Sequence, residues 1–200
     1  MTRATLVMLC VFLSAPLPAA PVPAPPPPND PIFPTAVGTT WVYAHFSKGK
    51  MVGEEAVETI SAVEVKNGDA VITIESVTGT IRTPAAVLRL NKDGLCRLSS
   101  AGYEYTEPFW LLKTPAKPGD KWQYDVKYKS AKFNGEVGTK TIGEPDVFEL
   151  NGKKHKAVRV IAEVACSKPI TSWFVPGIGL VKQQTPATEY RLLSFKPGMK

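Results

Sequence analysis

From Thr39 onward, apolar and polar residues alternate with a period of two, and turn residues break the alternation at short intervals. The run Trp122 to Lys129 is the cleanest case, with aromatic or apolar even positions and polar or charged odd ones. Alternation of this kind sets one face of an extended strand on a core and the other in water. Four dipeptides separate such runs: Asn67-Gly68, Asp93-Gly94, Asn134-Gly135 and Asn151-Gly152. Asn-Gly and Asp-Gly accept the positive φ angles of tight hairpins, so each reads as a strand reversal. The pattern predicts strands at 39–46, 54–66, 70–79, 85–91, 94–100, 121–130, 135–142, 146–150, 154–165, 170–175, 179–184 and 188–195. Tyr103 to Lys113 fits either a helical turn or a short strand, and no stretch carries a capped helical stripe. Hairpin follows hairpin without long crossovers. The expected fold class is therefore all-β: a single domain of mainly antiparallel strands, forming a curved sheet, half-barrel or barrel.

The chain ahead of this domain has a different texture. Met1-Thr2-Arg3 is a positive start, Ala4 to Leu13 is almost wholly apolar, and Ser14 to Ala20 supplies small residues and prolines. That is the layout of a secretory signal peptide, with cleavage expected near Ala19 or Ala20. The apolar run is well short of the roughly 20 residues that span a bilayer as a helix. Cys10 follows Val7, Met8 and Leu9, bulky residues where a lipid-attachment motif takes small ones, so a free, cleaved product is expected. Ten of the 19 prolines lie between residues 16 and 34. After cleavage, residues 21–34 read as an extended proline-rich tether, reaching roughly 40 Å at about 3.1 Å per residue. The domains expected are thus 1–20 signal peptide, 21–34 tether and 35–200 β domain. The destination is the periplasm or the extracellular space, with no later apolar stretch long enough to span a membrane.

Charge and cysteine usage refine this picture. The net charge is +6, and Arg3 is the only charge in the leader, so +5 remains after cleavage. Basic and acidic residues are interleaved. The densest cluster, Lys153-Lys154-His155-Lys156, reads as a solvated hairpin tip, with contact to an anionic envelope component as the alternative. Nucleic acid is not an expected partner, because no basic-aromatic stripe is present. Cys96 and Cys166 survive processing. Alternation puts Cys96 with Leu98 and opposite Arg97, and puts Cys166 with Val158, Val160, Ala162 and Val164. A buried Cys96–Cys166 disulfide and two buried free thiols both fit this placement.

Two further blocks combine turns with aromatic strands. Trp110 to Trp122 contains Pro118-Gly119-Asp120-Lys121-Trp122, and Trp173-Phe174-Val175-Pro176-Gly177-Ile178-Gly179-Leu180-Val181-Lys182 places a type II turn between two strands. Gly179 there marks a bulge or a close backbone approach. With Phe33-Pro34-Thr35-Ala36-Val37-Gly38-Thr39-Thr40-Trp41-Val42-Tyr43, these phrases resemble a loose group of uncharacterised bacterial secreted β-rich proteins. That group begins with FPL-x-VG-x-x-W-x-Y, carries G-D-x-W midway and ends with W-[FY]-x-P-G-[IV]-G-x-V-K; Thr35 stands here where leucine is commoner. The resemblance spans about residues 33–195 and rests on turn and core residues, so it implies a fold more than a function. At fold level alone the chain also looks like the curved half-barrel of periplasmic lipoprotein carriers.

The aromatic residues are the main candidates for a site. Trp41, Tyr43, Trp122, Tyr124 and Trp173 either fill a β core or line a groove for an apolar ligand such as a lipid. His45 alternates with Trp41 and Tyr43 and so should face the core, as a packing residue; His155 belongs to the basic hairpin tip. Two histidines and two well-separated cysteines do not form a zinc spacing, and nothing calls for a cofactor. No G-x-S-x-G, S-x-x-K or H-E-x-x-H phrase supports a hydrolase, and no glycine-rich loop precedes a helix. Glu54-Glu55, Glu104 with Glu107, and Asp120 with Asp125 are the carboxylates available for acid-base work. Three functional readings follow. The first is a non-enzymatic exported module that binds or scaffolds. The second is a carrier of lipid or lipidated protein in a concave aromatic-lined sheet, and the third is a carboxylate-dependent hydrolase.

Overall fold

A computed structural model describes residues 31–130, 135–165 and 167–199. Among them the regular structure is entirely β: β1 Thr40–Ser47, β2 Lys50–Lys66, β3 Asp69–Thr78, β4 Ile81–Asn91, β5 Gly94–Ser100, β6 Tyr103–Lys113, β7 Lys121–Asp125, β8 Val137–Ile142, β9 Asp146–Leu150, β10 Lys153–Val164, β11 Ile170–Val175, β12 Gly179–Gln184 and β13 Thr188–Lys196. All named strand pairs are antiparallel, as the hairpin chemistry predicts. Asn67 and Gly68, and likewise Asn151 and Gly152, both have positive φ, the requirement of a tight turn that twists with its strands. Asn134 of the third turn dipeptide lies outside the described residues, as do the predicted signal peptide and most of the predicted tether.

The strand order is β6-β5-β4-β3-β2-β1-β13-β12-β11-β10-β8-β7, with β9 paired to β10. Two meanders are therefore joined where β1 meets β13. The outer strands of this order, β6 and β7, approach each other as the sheet curls. Just past β7, Thr106 N–H donates to the Lys127 carbonyl (2.8 Å) and Lys129 N–H to the Glu104 carbonyl (2.9 Å). Tyr105 and Tyr128 form an isolated bridge there. One end of the seam is thus stitched, and the sheet is nearly closed as a barrel.

Irregularities in register supply the curvature. Shifts occur between Val42 and Tyr43, Ile60 and Ala62, Ile74 and Glu75, Val87 and Leu88, Arg97 and Ser99, and Trp173 and Phe174, among others. An extra residue on one strand bends it and sharpens the local twist, which is how a sheet turns a corner. It also shifts the phase of the side chains on the strand that carries it. His45 keeps the face of Tyr43, with its ring centroid 4.6 Å from that of Tyr190, but it lies toward the end of β1 and is exposed, so it is not the core packing residue expected. Cys96 is fully buried and lies opposite Arg97, as the alternation indicates, and its thiol donates to the Arg89 carbonyl (Sγ to O 3.7 Å). Leu95 and Arg97, on either side of it in β5, face the cavity. The Cys96 thiol is free, and Cys166, the other half of the expected disulfide, lies outside the described residues.

One end of the barrel is packed solid. Trp41, Ile60, Ile72, Leu95, Leu112 and Val181 are almost wholly shielded there. The Trp41 indole N–H donates to the Ile178 carbonyl (2.8 Å), and Gly177 N–H to the Pro31 carbonyl (2.8 Å), tying the Pro176-Gly177 turn across the barrel end. Phe33, which the proline pattern assigns to the tether, is buried against Trp41 with ring centroids 5.4 Å apart. Gly179 makes this possible. Its φ is +93°, and a Cβ there would sit 2.6 Å from the Phe33 ring, so the close approach predicted at this glycine holds.

Candidate functional site

Above the packed floor the barrel encloses a cavity of about 350 Å³. Its apolar wall comes from Trp41 and Tyr43 on β1, Ile74 on β3, Leu88 on β4, Phe109 on β6, Tyr124 on β7 and Phe174 on β11. Each projects inward because it occupies the core-facing phase of its strand. The Tyr43 ring is fixed in place: its hydroxyl donates to the Leu180 carbonyl (2.8 Å) and it stacks on Tyr190 with centroids 4.5 Å apart.

Three charged side chains share the same interior: Glu58 from β2, Arg97 from β5 and Lys140 from β8. Lys140 is 5% exposed. Its ammonium donates to the Trp110 carbonyl (2.7 Å), a contact that crosses the seam from β8 to β6. The same nitrogen lies 3.7 Å from the Phe109 ring centroid and 5.4 Å from that of Tyr124. Burial, with repulsion from Arg97 added, pushes its pKa down to about 7. Arg97 carries a buried Nε with no hydrogen-bond partner among the described residues. Burial raises the Glu58 carboxyl above the usual range, against the opposing effects of Arg97 and of the hydrogen bond donated by the Tyr190 hydroxyl (3.4 Å). Among the described residues, no carboxylate lies within 4.0 Å of the Arg97 or Lys140 nitrogens. Glu136, exposed, stands on the rim.

The aromatic residues singled out from the sequence divide three ways. Trp41, Tyr43 and Tyr124 line the cavity together. Trp122 is buried in the core beside it, with its indole nitrogen unpartnered among the described residues, and does not line it. Trp173 sits on the outer face, where its indole N–H donates to Asp146 Oδ2 (3.0 Å) and the Lys182 ammonium lies 4.7 Å from its ring. On β11, Ile170, Ser172 and Phe174 line the cavity in regular alternation, which leaves Trp173 on the other face. Sequence reasoning misses Arg97, Lys140 and Glu58 as site residues. A usable signal is present, since Lys140 and Glu58 each keep phase with a buried isoleucine, Ile142 and Ile60.

The remaining polar candidates are dispersed. Glu104 pairs with Lys129 on the outside, where Glu104 and Glu107 flank a shallow depression. Glu54 and Glu55 are exposed on β2; Asp120 accepts the Lys117 N–H (3.0 Å), and Asp125 pairs with Lys127. His155 is on β10 opposite Phe148. Among the described residues, no cluster of three or more His, Cys, Asp or Glu has metal-holding geometry, and no helix is long and apolar enough to cross a membrane.

No protein-family model matches the chain, and no curated protein matches it in sequence. Solved structures do. One, of a protein from Bacteroides fragilis described as a candidate exported protein with a YmcC-like fold, has a TM-score of 0.50 at 12% identity, over 82% of this chain and 98% of that one. A candidate lipoprotein from Parabacteroides distasonis gives 0.49 at 16% identity, over 83% and 98%. The hypothetical lipoprotein YmcC of Escherichia coli gives 0.43 at 10%, over 82% and 89%. At these identities the likeness to the Bacteroides fragilis protein is one of fold.

Proposed function

We propose that this protein is an exported, non-enzymatic β-barrel module that binds a small apolar or amphiphilic molecule in its interior. The cavity carries the reading. Protein interiors are normally packed to crystal-like density, and voids larger than a water are few. A 350 Å³ space walled by Trp41, Tyr43, Ile74, Leu88 and Phe174 lies within the size range of ligand sites, about 300–1,000 Å³. Export is supported by the signal-like N-terminus and by the exported character named for the Bacteroides fragilis neighbour. Binding in preference to turnover is supported by the dispersion of the predicted carboxylate pairs over the outer surface. Carriage of a lipid or lipidated protein is the most specific form of this reading, and the aromatic wall suits it.

At the ~30 Å³ that a water-sized heavy atom occupies in a liquid, the cavity accommodates roughly ten to twelve non-hydrogen atoms. 1-Octanol is therefore a suitable neutral probe. Titration followed by the methyl NMR shifts of Ile74, Leu88 and Leu180 is expected to show saturable binding. Ala86→Phe and Ala162→Phe, which put a ring into the cavity from β4 and β10, should each abolish it while keeping a dispersed native spectrum. Absence of any shift in the wild-type protein, or binding undiminished in both folded variants, defeats the proposal.

A further inference from the structure

We propose that the cavity selects an amphiphile with a single negative charge, a short apolar chain ending in a carboxylate, and that Arg97 and Lys140 hold its head. The proposal rests on the binding function just described and specifies its ligand. Its basis is an imbalance inside the barrel. A buried cation is tolerated when paired or hydrogen-bonded to capacity. Lys140 has three N–H donors and, among the described residues, a single protein acceptor, the Trp110 carbonyl. The Arg97 Nε is buried with no acceptor among the same residues. Unsatisfied buried donors in a native interior call for a partner, and here both belong to cations that line one cavity.

The two converge. Arg97 on β5 is the cross-strand partner of Phe109 on β6, and the Lys140 ammonium lies 3.7 Å from the centre of that Phe109 ring. A carboxylate beside Phe109 would meet the guanidinium fork on one side and the ammonium on the other, both of them donors of charge-assisted hydrogen bonds. The balance of interior charges sets the valence. Arg97 and Lys140 are cations and Glu58 is an anion, which leaves one uncompensated positive charge; Glu136 is exposed at the rim. A monoanion neutralises that remainder, whereas a dianion overshoots it. The opposite wall, Trp41, Ile74, Leu88 and Phe174, accepts the chain.

Three eight-carbon probes separate the possibilities in the unmodified protein at pH 6: octanoate, 1-octanol and octyl phosphate, each titrated by the same methyl shifts. Octanoate is expected to bind at least tenfold more tightly than octanol, and octyl phosphate no more tightly than octanoate. Arg97→Gln and Lys140→Gln should each weaken octanoate at least fivefold and leave octanol within twofold; Arg97→Lys, which keeps the charge and loses the fork, should fall between. If octanol binds as well as octanoate, the cavity still binds ligand but the assigned head group is wrong. Octyl phosphate binding more tightly than octanoate overturns the single-charge assignment. If none of the three binds, the cavity reading fails and this one falls with it. The wild-type comparison decides between these outcomes even where a variant fails to fold.

Discussion

Lys140 is a burden on the ligand-free fold, and its replacement by methionine gives a prediction whose sign changes with pH. Its ammonium is displaced from an ordinary 10.5 to about 7, by burial first and by Arg97 second. Because the folded value lies below the unfolded one, the unfolded chain binds an extra proton between these limits. Stability therefore rises with pH across that window, and the penalty is complete below about pH 7. A gap of this size corresponds to roughly 5 kcal/mol. Lys140→Met keeps the length and apolar stem of the side chain while removing the charge. It also leaves the Trp110 carbonyl without its 2.7 Å donor, a loss of about 1–2 kcal/mol. At pH 6 the variant should thus be about 3 kcal/mol more stable than the parent. At pH 10 the folded lysine is already neutral and the remaining penalty is under about 1 kcal/mol, so the lost hydrogen bond slightly outweighs it and the variant should be less stable by up to about 1 kcal/mol. Urea unfolding of both proteins, ligand-free, at the two pH values measures this directly. Every other titrating group is common to the pair, so its contribution cancels in the difference. A variant equally destabilised at pH 6 and pH 10 would refute the claim that Lys140 is held in the interior at an electrostatic penalty.

Two other perturbations probe the frame around the cavity. Gly179→Ala places a methyl in the left-handed region, at φ +93°, and 2.6 Å from the Phe33 ring. Backbone strain and the forced shift of Phe33 together should lower unfolding stability by about 2–4 kcal/mol, and a loss under about half a kcal/mol in urea titration would contradict the packing of Phe33 against this glycine. Burial raises the Cys96 thiol above its ordinary pKa, so in a Cys166→Ser variant at pH 8 a disulfide reagent should label Cys96 only as fast as the protein unfolds. Labelling of the native protein at the rate seen in denaturant would place the thiol at the surface.

The strands and turns are readable because their signals are local. Alternation over five to ten residues and Asn-Gly or Asp-Gly between runs mark strand and reversal without reference to the rest of the chain. Tyr103 to Lys113 is ambiguous between a helical turn and a short strand because Pro108 interrupts it and its alternation is poor. In the fold it is β6, an outer strand of the sheet order, and an edge strand has no second ladder for a proline to break. The start of β4 illustrates the same point. The sequence pattern opens that strand after Pro84, yet β4 begins at Ile81, because Pro84 falls at the register shift between Ile74 and Glu75 on the neighbouring strand. Where a proline's missing N–H is not needed, the local rule against it has no force.

The site is harder to read for a physical reason that also bears on its chemistry. Side-chain direction has a period of two, so each one-residue slip exchanges the faces of everything beyond it. The shift opposite Trp173 and Phe174 falls at Val181 of β12, so that Leu180 and Gln183, three residues apart, both line the cavity. Such slips accumulate in a sheet that must curl, and no local pattern announces them. Glu58, Arg97 and Lys140 are about 40 residues apart in the chain and come from β2, β5 and β8. On a flat, one-sided sheet, charges at these positions would face water and carry no penalty. Closure of β6 toward β7 converts that face into an interior, and only then do three solvated charges become a desolvated cluster with one positive charge in excess. The Lys140 contact to the Trp110 carbonyl lies at this same seam, so the group that an anionic ligand would relieve also spans the junction that makes the cavity. A ligand that neutralises Lys140 and Arg97 should therefore stabilise the closed barrel as well as occupy it, with an unfolding free energy that grows with the logarithm of ligand concentration above the dissociation constant.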